Sequence, residues 1–530
     1  MTYERGLLLL AVGVAGIAGW FGLHAYDNAH ASVAAPSVAT PPFFTRGEIG
    51  TFLAAASSAE AIADPLKRCL AFPDPPGSHW SPSVVEAYCR YHSQAFVTLA
   101  EAQDLIGRGN AAGLDHRLAA AEHAQLAQEG SAGLLDHTYH QDFGGSSPEL
   151  RASLDAWKLQ SPQSAFAYAA SGVVYVNAAR EARGGAWIQD TPKEKIAAME
   201  DLLAKARSDL DKAVSLDPGV TPAYSSMLDV AQLEGDEGYA ASATRQGLKA
   251  DPANYSLYAM LMQGAEPKWG GSLPTMVSLA SAARAQSSKN PLLLLIQPEV
   301  PAMEAGLDNC GCHAPEDIGA YRRVLDQVAS ISLLNGAGED AIKGDLPAQF
   351  AVVYLSEALR FDPVVSSARK TLIEQLLVLS EQPGFKAAAV HLALIHADRW
   401  VDLAAHDSAS YGARGSVRMA MNDYAHAEAD YSNAFALAPD DAWAGTQLGQ
   451  FYAESTHEWD KAWNVAEKMI KTHPEVPNGW ILRASIQSQQ PRPGLRDTDA
   501  YIVAHFANSP DVEDAVAQAR RDLASDASGR

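Results

Sequence analysis

Positive charge is scarce in this sequence. Lys and Arg number 40 against 63 Asp and Glu in 530 residues, which gives a formal net charge of −23. A chain this acidic repels phosphate backbones and anionic lipid surfaces, so the composition disfavours nucleic acid as a partner. The charge is typical of a solvated acidic surface, and it would also suit a basic partner.

Motifs that carry chemistry are absent as well. The sequence contains no Gly-x-Ser-x-Gly elbow of serine hydrolases and no His-Glu-x-x-His zinc motif. Residues 269–272 (WGGS) lack the glycine spacing and the lysine of a phosphate-binding loop. Their pattern instead predicts that Trp269 anchors a turn between two helices. The sequence therefore predicts no catalytic residue, no metal and no cofactor.

Two clusters of potential metal ligands are too small to indicate a site. His137 and His140 lie three positions apart and would share a helix face, as zinc ligands do. Cys310 and Cys312, with His313 beside them, could contribute thiolates to a soft metal. The structural interpretations are favoured: a polar or solvent-facing helix end for the histidines, and a loop disulfide or unpaired thiols for the cysteines.

Cysteine is rare, with four in the chain, which allow three pairings. Cys69 and Cys89 are 20 residues apart and enclose a segment rich in proline, including Pro75 and Pro76. Such a segment does not form regular helix. In an oxidising compartment, a disulfide between Cys69 and Cys89 is the simplest pairing and would order this loop.

The N-terminal segment predicts the cellular compartment. Residues 6–23 (GLLLLAVGVAGIAGWFGL) carry no charge over 18 positions, which is close to the minimum for a transmembrane helix. Residues 29–31 (AHA) also form a small-x-small triplet typical of signal-peptidase cleavage. A retained anchor in an inner membrane and a cleaved signal are the two alternatives. Both predict that the rest of the chain lies outside the cytoplasm, in the periplasm of a bacterial cell envelope.

Helical periodicity dominates from about residue 48 to residue 522. Alternating apolar and polar runs are nearly absent, whereas alanine-rich segments with apolar residues three and four positions apart recur, as in 95–105 and 199–216. The pattern predicts an all-α fold.

Prolines recur after helices at a regular spacing. Pro218 and Pro252 are 34 residues apart, and Pro439 and Pro474 are 35 residues apart. Each proline predicts the end of a helix, because it lacks an N–H and clashes with the preceding turn. Small residues lie 12 positions before these prolines and Pro363, and aromatic residues lie six positions after three of them: Ala206, Ala240, Ala351, Ala427 and Ala462, then Tyr224, Tyr258 and Trp480.

This spacing resembles the tetratricopeptide repeat (TPR), most strongly over residues 408–474 and moderately over 164–182, 204–262 and 348–363. The resemblance implies helix pairs that stack into a solenoid, with the first helix of each pair on the concave side. The segments CLAFPDPPGSHW (69–80) and PKWGGS (267–272) also resemble a family of exported bacterial proteins with a domain of unknown function. That second resemblance, over roughly residues 50–300, implies helical-repeat architecture and no known activity.

The predicted fold is an all-α, TPR-like α–α superhelix preceded by a signal or anchor helix. The predicted order is a signal or anchor helix at 1–24, a flexible linker at 25–47, an N-terminal helical region with a stapled proline-rich loop at 48–150, a TPR-like domain at 151–300, an irregular helical connector at 301–345 and C-terminal TPR-like repeats at 346–530.

The repeat register predicts a partner-binding groove in the C-terminal repeats. Its residues are Ser416, Trp443, Thr446, Gln450, Glu454, Asn478, Ser485 and Gln489. Trp443 would supply apolar contact area and the amides would supply hydrogen bonds; alternatively, Trp443 packs into the neighbouring helix pair. The predicted function is a membrane-anchored or exported scaffold that binds a protein or peptide partner. An envelope enzyme on a helical-repeat fold and a structural subunit of an envelope complex are the alternatives.

Overall fold

The computed structural model describes residues 44–127, 132–186, 190–307, 319–344, 346–364, 366–490, 492–509 and 512–528. Over these residues every regular element is helical, so the predicted all-α class is confirmed. None of the described helices combines the length and the apolar character needed to cross a bilayer. The predicted anchor at 6–23, the linker through residue 43 and the Cys310–Cys312–His313 cluster lie outside the described residues.

The chain divides into two compact units. Unit 1 contains Ile62–Leu346 and Arg360–Asp362, and unit 2 contains Thr45–Ala61, Pro347–Leu359 and Pro363–Arg530. The α-helices are, in chain order, α1 (Arg46–Glu60), α2 (Pro65–Ala71), α3 (Pro82–Ser93), α4 (Leu99–Gly107), α5 (Ala111–Ala127), α6 (Leu134–Asp142), α7 (Pro148–Gln160), α8 (Ala165–Arg183), α9 (Lys193–Leu216), α10 (Thr221–Glu234), α11 (Glu237–Ala250), α12 (Tyr255–Gly264), α13 (Leu273–Gln286), α14 (Glu299–Glu304), α15 (Gly319–Val324), α16 (Ile331–Lys343), α17 (Ala348–Phe361), α18 (Ser366–Ser380), α19 (Lys386–Leu403), α20 (Ser408–Ala420), α21 (Tyr424–Leu437), α22 (Ala442–Gln450), α23 (Trp459–Thr472), α24 (Pro477–Gln489), α25 (Leu495–Phe506) and α26 (Glu513–Ser528).

The recurring prolines end helices as predicted. Helices α9, α11, α21 and α23 each stop two residues before a proline of the repeat. Some of the helices that come after these prolines begin at a polar residue that caps the helix. The Asn254 side chain, for example, accepts a hydrogen bond from the backbone N–H of Leu257 at the start of α12.

Three consecutive helix pairs form the centre of unit 1: α8 with α9, α10 with α11, and α12 with α13. The two-residue connection between α10 and α11 forces that pair to run antiparallel. The first helices pack side by side, since α10 contacts both α8 and α12. Within the first pair, Gly172 of α8 allows Leu210 of α9 to approach so closely that a Cβ at Gly172 would lie 2.6 Å from two Leu210 side-chain carbons.

One sequence-based prediction for this region differs from the structure. The spacing predicts an insertion of about twenty residues near 184–203, between the helices of the first pair. In the structure, α9 already begins at Lys193 and runs for 24 residues, so the second half of that segment is helix. The difference arises because helix propagation continues wherever no proline or glycine interrupts it.

A disulfide joins Cys69 of α2 to Cys89 of α3, with a Cα–Cα distance of 5.7 Å. Arg360, only 2 % exposed, holds the enclosed loop from the opposite side. Its Nε donates to the Cys69 carbonyl at 2.8 Å, and its guanidinium also pairs with Asp74 at 2.7 Å. Arg68 in turn donates to the Arg360 carbonyl at 2.8 Å. The proline-rich loop is therefore fixed covalently and by buried charge-assisted hydrogen bonds.

Unit 2 contains the region in which the TPR resemblance is strongest. Its first helices α18, α20, α22 and α24 contact one another in sequence, and α20 and α22 pack against their partners α21 and α23. Buried Asp430 of α21 pairs with Arg414 at 2.8 Å and with Arg418 at 2.6 Å, both from α20. These ion pairs fix the two helices of that repeat against each other.

Candidate functional site

Three of the predicted groove residues of unit 2 make contacts between first helices. Trp443 of α22 is 40 % exposed, and its ring lies against Gly412 of α20, where a Cβ would be 2.3 Å from two ring carbons. Asn478 of α24 donates to the Thr446 hydroxyl at 3.1 Å and so connects two first helices. Trp443 therefore has one packed face and one open face, and both interpretations of it remain predictions.

The other predicted residues of unit 2 lie apart from these contacts. The Ser416 hydroxyl accepts a hydrogen bond from Tyr431 at 3.1 Å, so Ser416 faces the second helix of its own pair. Gln489 donates to Ser485 at 3.4 Å, one helical turn away on α24. Gln450 and Glu454 are exposed, and Glu454 lies in a π-helical turn that extends α22. Such turns are frequent at functional sites.

A cleft of about 580 Å³ lies on the first helices of unit 1. It crosses α8, α10 and α12, and α6 contributes to one side. Among its lining residues are Val173, Val176, Asn177 and Arg180 of α8, Ser225, Ser226 and Asp229 of α10, Ala259, Met260 and Gln263 of α12, and His140 of α6. The cleft therefore combines apolar side chains with hydrogen-bonding groups, as binding sites do.

Sequence reasoning missed this cleft although a signal for it exists. In unit 2 the register places Gln450 and Glu454 one and five positions after Gly449. The same offsets from Gly172 give Val173 and Asn177, and both line the cleft. The register was applied to the C-terminal repeats alone, because the resemblance was stronger there.

An ion pair links two walls of the cleft. The Arg180 guanidinium of α8 contacts the Asp229 carboxylate of α10 at 2.5 Å. Burial raises the pKa of Asp229 to about 6, and the positive charge of Arg180 opposes this rise. Asn177 donates to the Gly144 carbonyl at 2.9 Å, which orients its amide at the rim.

A buried hydrogen-bond network around Asp136 holds the helices of the cleft in place. The Asp136 carboxylate of α6 accepts from Gln125 of α5 at 2.8 Å, from Thr221 of α10 at 2.8 Å and from Asn254, which caps the start of α12, at 2.6 Å. Burial raises the pKa of Asp136 to about 6, whereas these hydrogen bonds lower it. A satisfied polar network of this kind specifies one arrangement of the elements it joins, so the cleft is preorganised.

Beside this network lies a cluster of histidine and tyrosine rings. His137 is 2 % exposed, and its ring contacts Tyr91 at 4.8 Å and His92 at 5.6 Å between centroids. Burial lowers the pKa of His137 to about 4 and that of His92 to about 3, and charge repulsion among the histidines adds to both shifts. His137 Nδ1 makes no hydrogen bond with any described residue.

The two histidines that could have formed a zinc pair have different environments. His137 is buried, so the polar or solvent-facing helix end favoured from the sequence is wrong for it, whereas His140 is exposed and lines the cleft. Among the residues that the structure describes, no three His, Cys, Asp or Glu side chains converge as metal ligands would.

No family model matches the sequence, and no curated protein matches it. Solved structures that it is similar to include the TPR domain of P58(IPK), at 15 % identity and a TM-score of 0.21, covering 63 % of this chain and 97 % of that one. The Cut9–Hcn1 hetero-tetramer of the APC/C is another, at 14 % identity and a TM-score of 0.29, covering 89 % of this chain and 87 % of that one. The TPR-like helical-repeat fold of the chain rests on its own helix pairs.

Proposed function

We propose that this protein is a TPR-like scaffold that binds an extended segment of a protein partner in the unit 1 cleft, without catalysis. The observation that carries the proposal is the cleft itself, which crosses the first helices of three successive pairs. Since the Asp136 network fixes α10 and α12 relative to α6, little ordering of these helices is required on binding, and affinity benefits.

The dimensions of the cleft suit a peptide. Packed helices lie about 9 Å apart, so a chain that crosses three of them spans about 18 Å, or about six extended residues. Asn177 and Gln263 offer hydrogen bonds to a peptide backbone, and Val173 and Met260 offer apolar contacts to its side chains. A short peptide held by alternating polar and apolar contacts is the occupant that this lining favours.

The test is a selection of random displayed peptides on the full-length chain, followed by measurement of Kd for the selected sequences. We expect Ala259→Trp, which fills the cleft at α12, to weaken binding at least about tenfold. Ala204→Trp is the matched control, because Ala204 is exposed on the second helix α9. Selected peptides that bind both variants equally, or a selection that yields no binder, would contradict the proposal.

We also propose that the scaffold works outside the cytoplasm, retained at a membrane or released after cleavage near residue 31. The uncharged run at 6–23 and the disulfide between Cys69 and Cys89 support this location, since such bonds persist in oxidising compartments. Thiol labelling of the chain in freshly lysed native cells is the check. We expect Cys69 and Cys89 to resist labelling until a reductant is added; a fully labelled pair argues against export.

A further inference from the structure

A second, smaller pocket lies beside the cleft. It has a volume of about 160 Å³ and lies between α10, α11, α12 and α13, next to the 3₁₀ turn Pro267–Trp269. Met260 of α12 lines both the pocket and the cleft. The pocket therefore lies next to the cleft, on the other side of Met260.

The pocket is small, and most of its lining side chains are apolar. Leu228, Ala231, Leu261 and Leu279 are among its lining residues. Its volume is below the roughly 300–1,000 Å³ of small-molecule sites. The space matches one large aliphatic or aromatic side chain.

Trp269 forms the outer edge of the pocket and remains 44 % exposed. The sequence predicted that this side chain anchors a turn, but the backbone of the turn is held by other contacts. Gly270 has φ of +87°, and the Gly271 N–H donates to the Glu266 carbonyl at 3.1 Å. A Cβ at Gly271 would lie 2.1 Å from the Ala265 carbonyl oxygen, so the glycine is required for this close approach. The turn thus presents an indole to solvent, and indoles are enriched where partners bind.

The charged side chains that line the pocket are acidic. Asp236 and Glu237 line it, and no described lining residue is Lys or Arg. Asp236 is engaged, since it caps α11 and pairs with Arg207 at 2.9 Å. Glu237 is exposed and makes no ion pair with any residue that the structure describes. A carboxylate beside an apolar pocket is complementary to a basic side chain next to an apolar one.

We infer that this pocket is the specificity site of the scaffold: it takes a large apolar side chain of the bound peptide, and Glu237 pairs with a neighbouring Lys or Arg of that peptide. The inference rests on the proposed function, because the peptide must lie in the cleft to reach the pocket. The partner segment is accordingly basic and amphipathic, which also agrees with the net charge of −23.

The probes are three libraries of eight-residue peptides that share random flanks and differ at two adjacent central positions: Leu-Lys, Leu-Glu and Ala-Lys. We expect the full-length chain to bind the Leu-Lys library about tenfold more tightly than either of the others. Glu237→Lys should reverse the preference between Leu-Lys and Leu-Glu. Glu194→Lys is the matched control, since Glu194 is exposed in the first turn of α9 as Glu237 is in the first turn of α11.

Substitution of the indole tests the apolar half of the inference. Trp269→Ala should remove the advantage of Leu-Lys over Ala-Lys, whereas Trp269→Phe should retain most of it, and circular dichroism should show both variants folded. If the peptides bind Ala259→Trp more weakly but bind Glu237→Lys and Trp269→Ala as tightly as wild type, the pocket assignment is wrong and the proposed function stands. If the peptides also bind Ala259→Trp as tightly as wild type, both the pocket assignment and the proposed function are wrong.

Discussion

We expect replacement of Cys69 and Cys89 together by serine to lower the free energy of unfolding of unit 1 by about 3 kcal/mol. The bond closes a loop of 20 residues, and its removal frees that loop in the unfolded chain. Arg360 and Arg68 continue to hold the loop in the folded state, so we expect the fold to persist with reduced stability. Equilibrium unfolding in guanidinium chloride measures the difference.

Two controls isolate the contribution of this bond. Wild-type protein in the presence of a reductant should match the Cys69→Ser/Cys89→Ser variant, because both lack the same cross-link. A Cys310→Ser/Cys312→Ser variant should retain the unit 1 stability of oxidised wild type. If reduction leaves the unfolding midpoint of wild type unchanged, the disulfide does not contribute as expected.

We expect acidification from pH 7 to pH 5 to destabilise the wild type by about 2 kcal/mol relative to a His137→Phe variant. The pKa of His137 is lowered from 6.5 to about 4 in the folded protein. Between these values the unfolded chain binds the proton and the folded chain does not, so stability is present above pH 6.5 and is lost as the pH falls. Phenylalanine suits the site because the rings of Tyr91 and Phe96 surround it.

The comparison with a variant is necessary because buried carboxyls act in the opposite direction. Burial raises the pKa of Asp136 and of Asp229 to about 6, so the folded state takes up protons first at these groups and gains stability as the pH falls below 6. Urea unfolding of both proteins at pH 7, 6 and 5 gives the difference. A difference that stays constant over this range would show that His137 is not buried in its neutral form.

Local chemistry explains which parts of the fold were predictable from the sequence. The helix ends at Pro218, Pro252, Pro439 and Pro474 follow from a single residue type, and the all-α class follows from periodicity within each segment. The first turns of α9 were not predicted, because the repeat spacing favours an insertion at 184–203, although no proline or glycine follows Pro192 in that segment.

The candidate site depends on contacts between distant positions. Asp136 meets Thr221 and Asn254, which are 85 and 118 residues away along the chain. The residue pattern within one helix does not reveal such long-range hydrogen bonds. The sequence could therefore indicate which helix comes first in each pair, but not where a cleft forms. The register at Gly172 would have identified Val173 and Asn177, whereas the role of Asp136 becomes visible only once the helices are assembled.

The Asp136 network also bears on how unit 1 unfolds. In most stacked-helix arrays each repeat interacts with its neighbours alone, so terminal repeats fray independently and stability is a sum of local terms. Here one carboxylate connects α5, α6, α10 and α12, and loss of any one helix leaves a buried acid with missing partners. This free-energy cost makes these helices unfold together as one cooperative unit. The amide-exchange rates of α10 and α12 should therefore change together with those of α6 when conditions or substitutions alter stability.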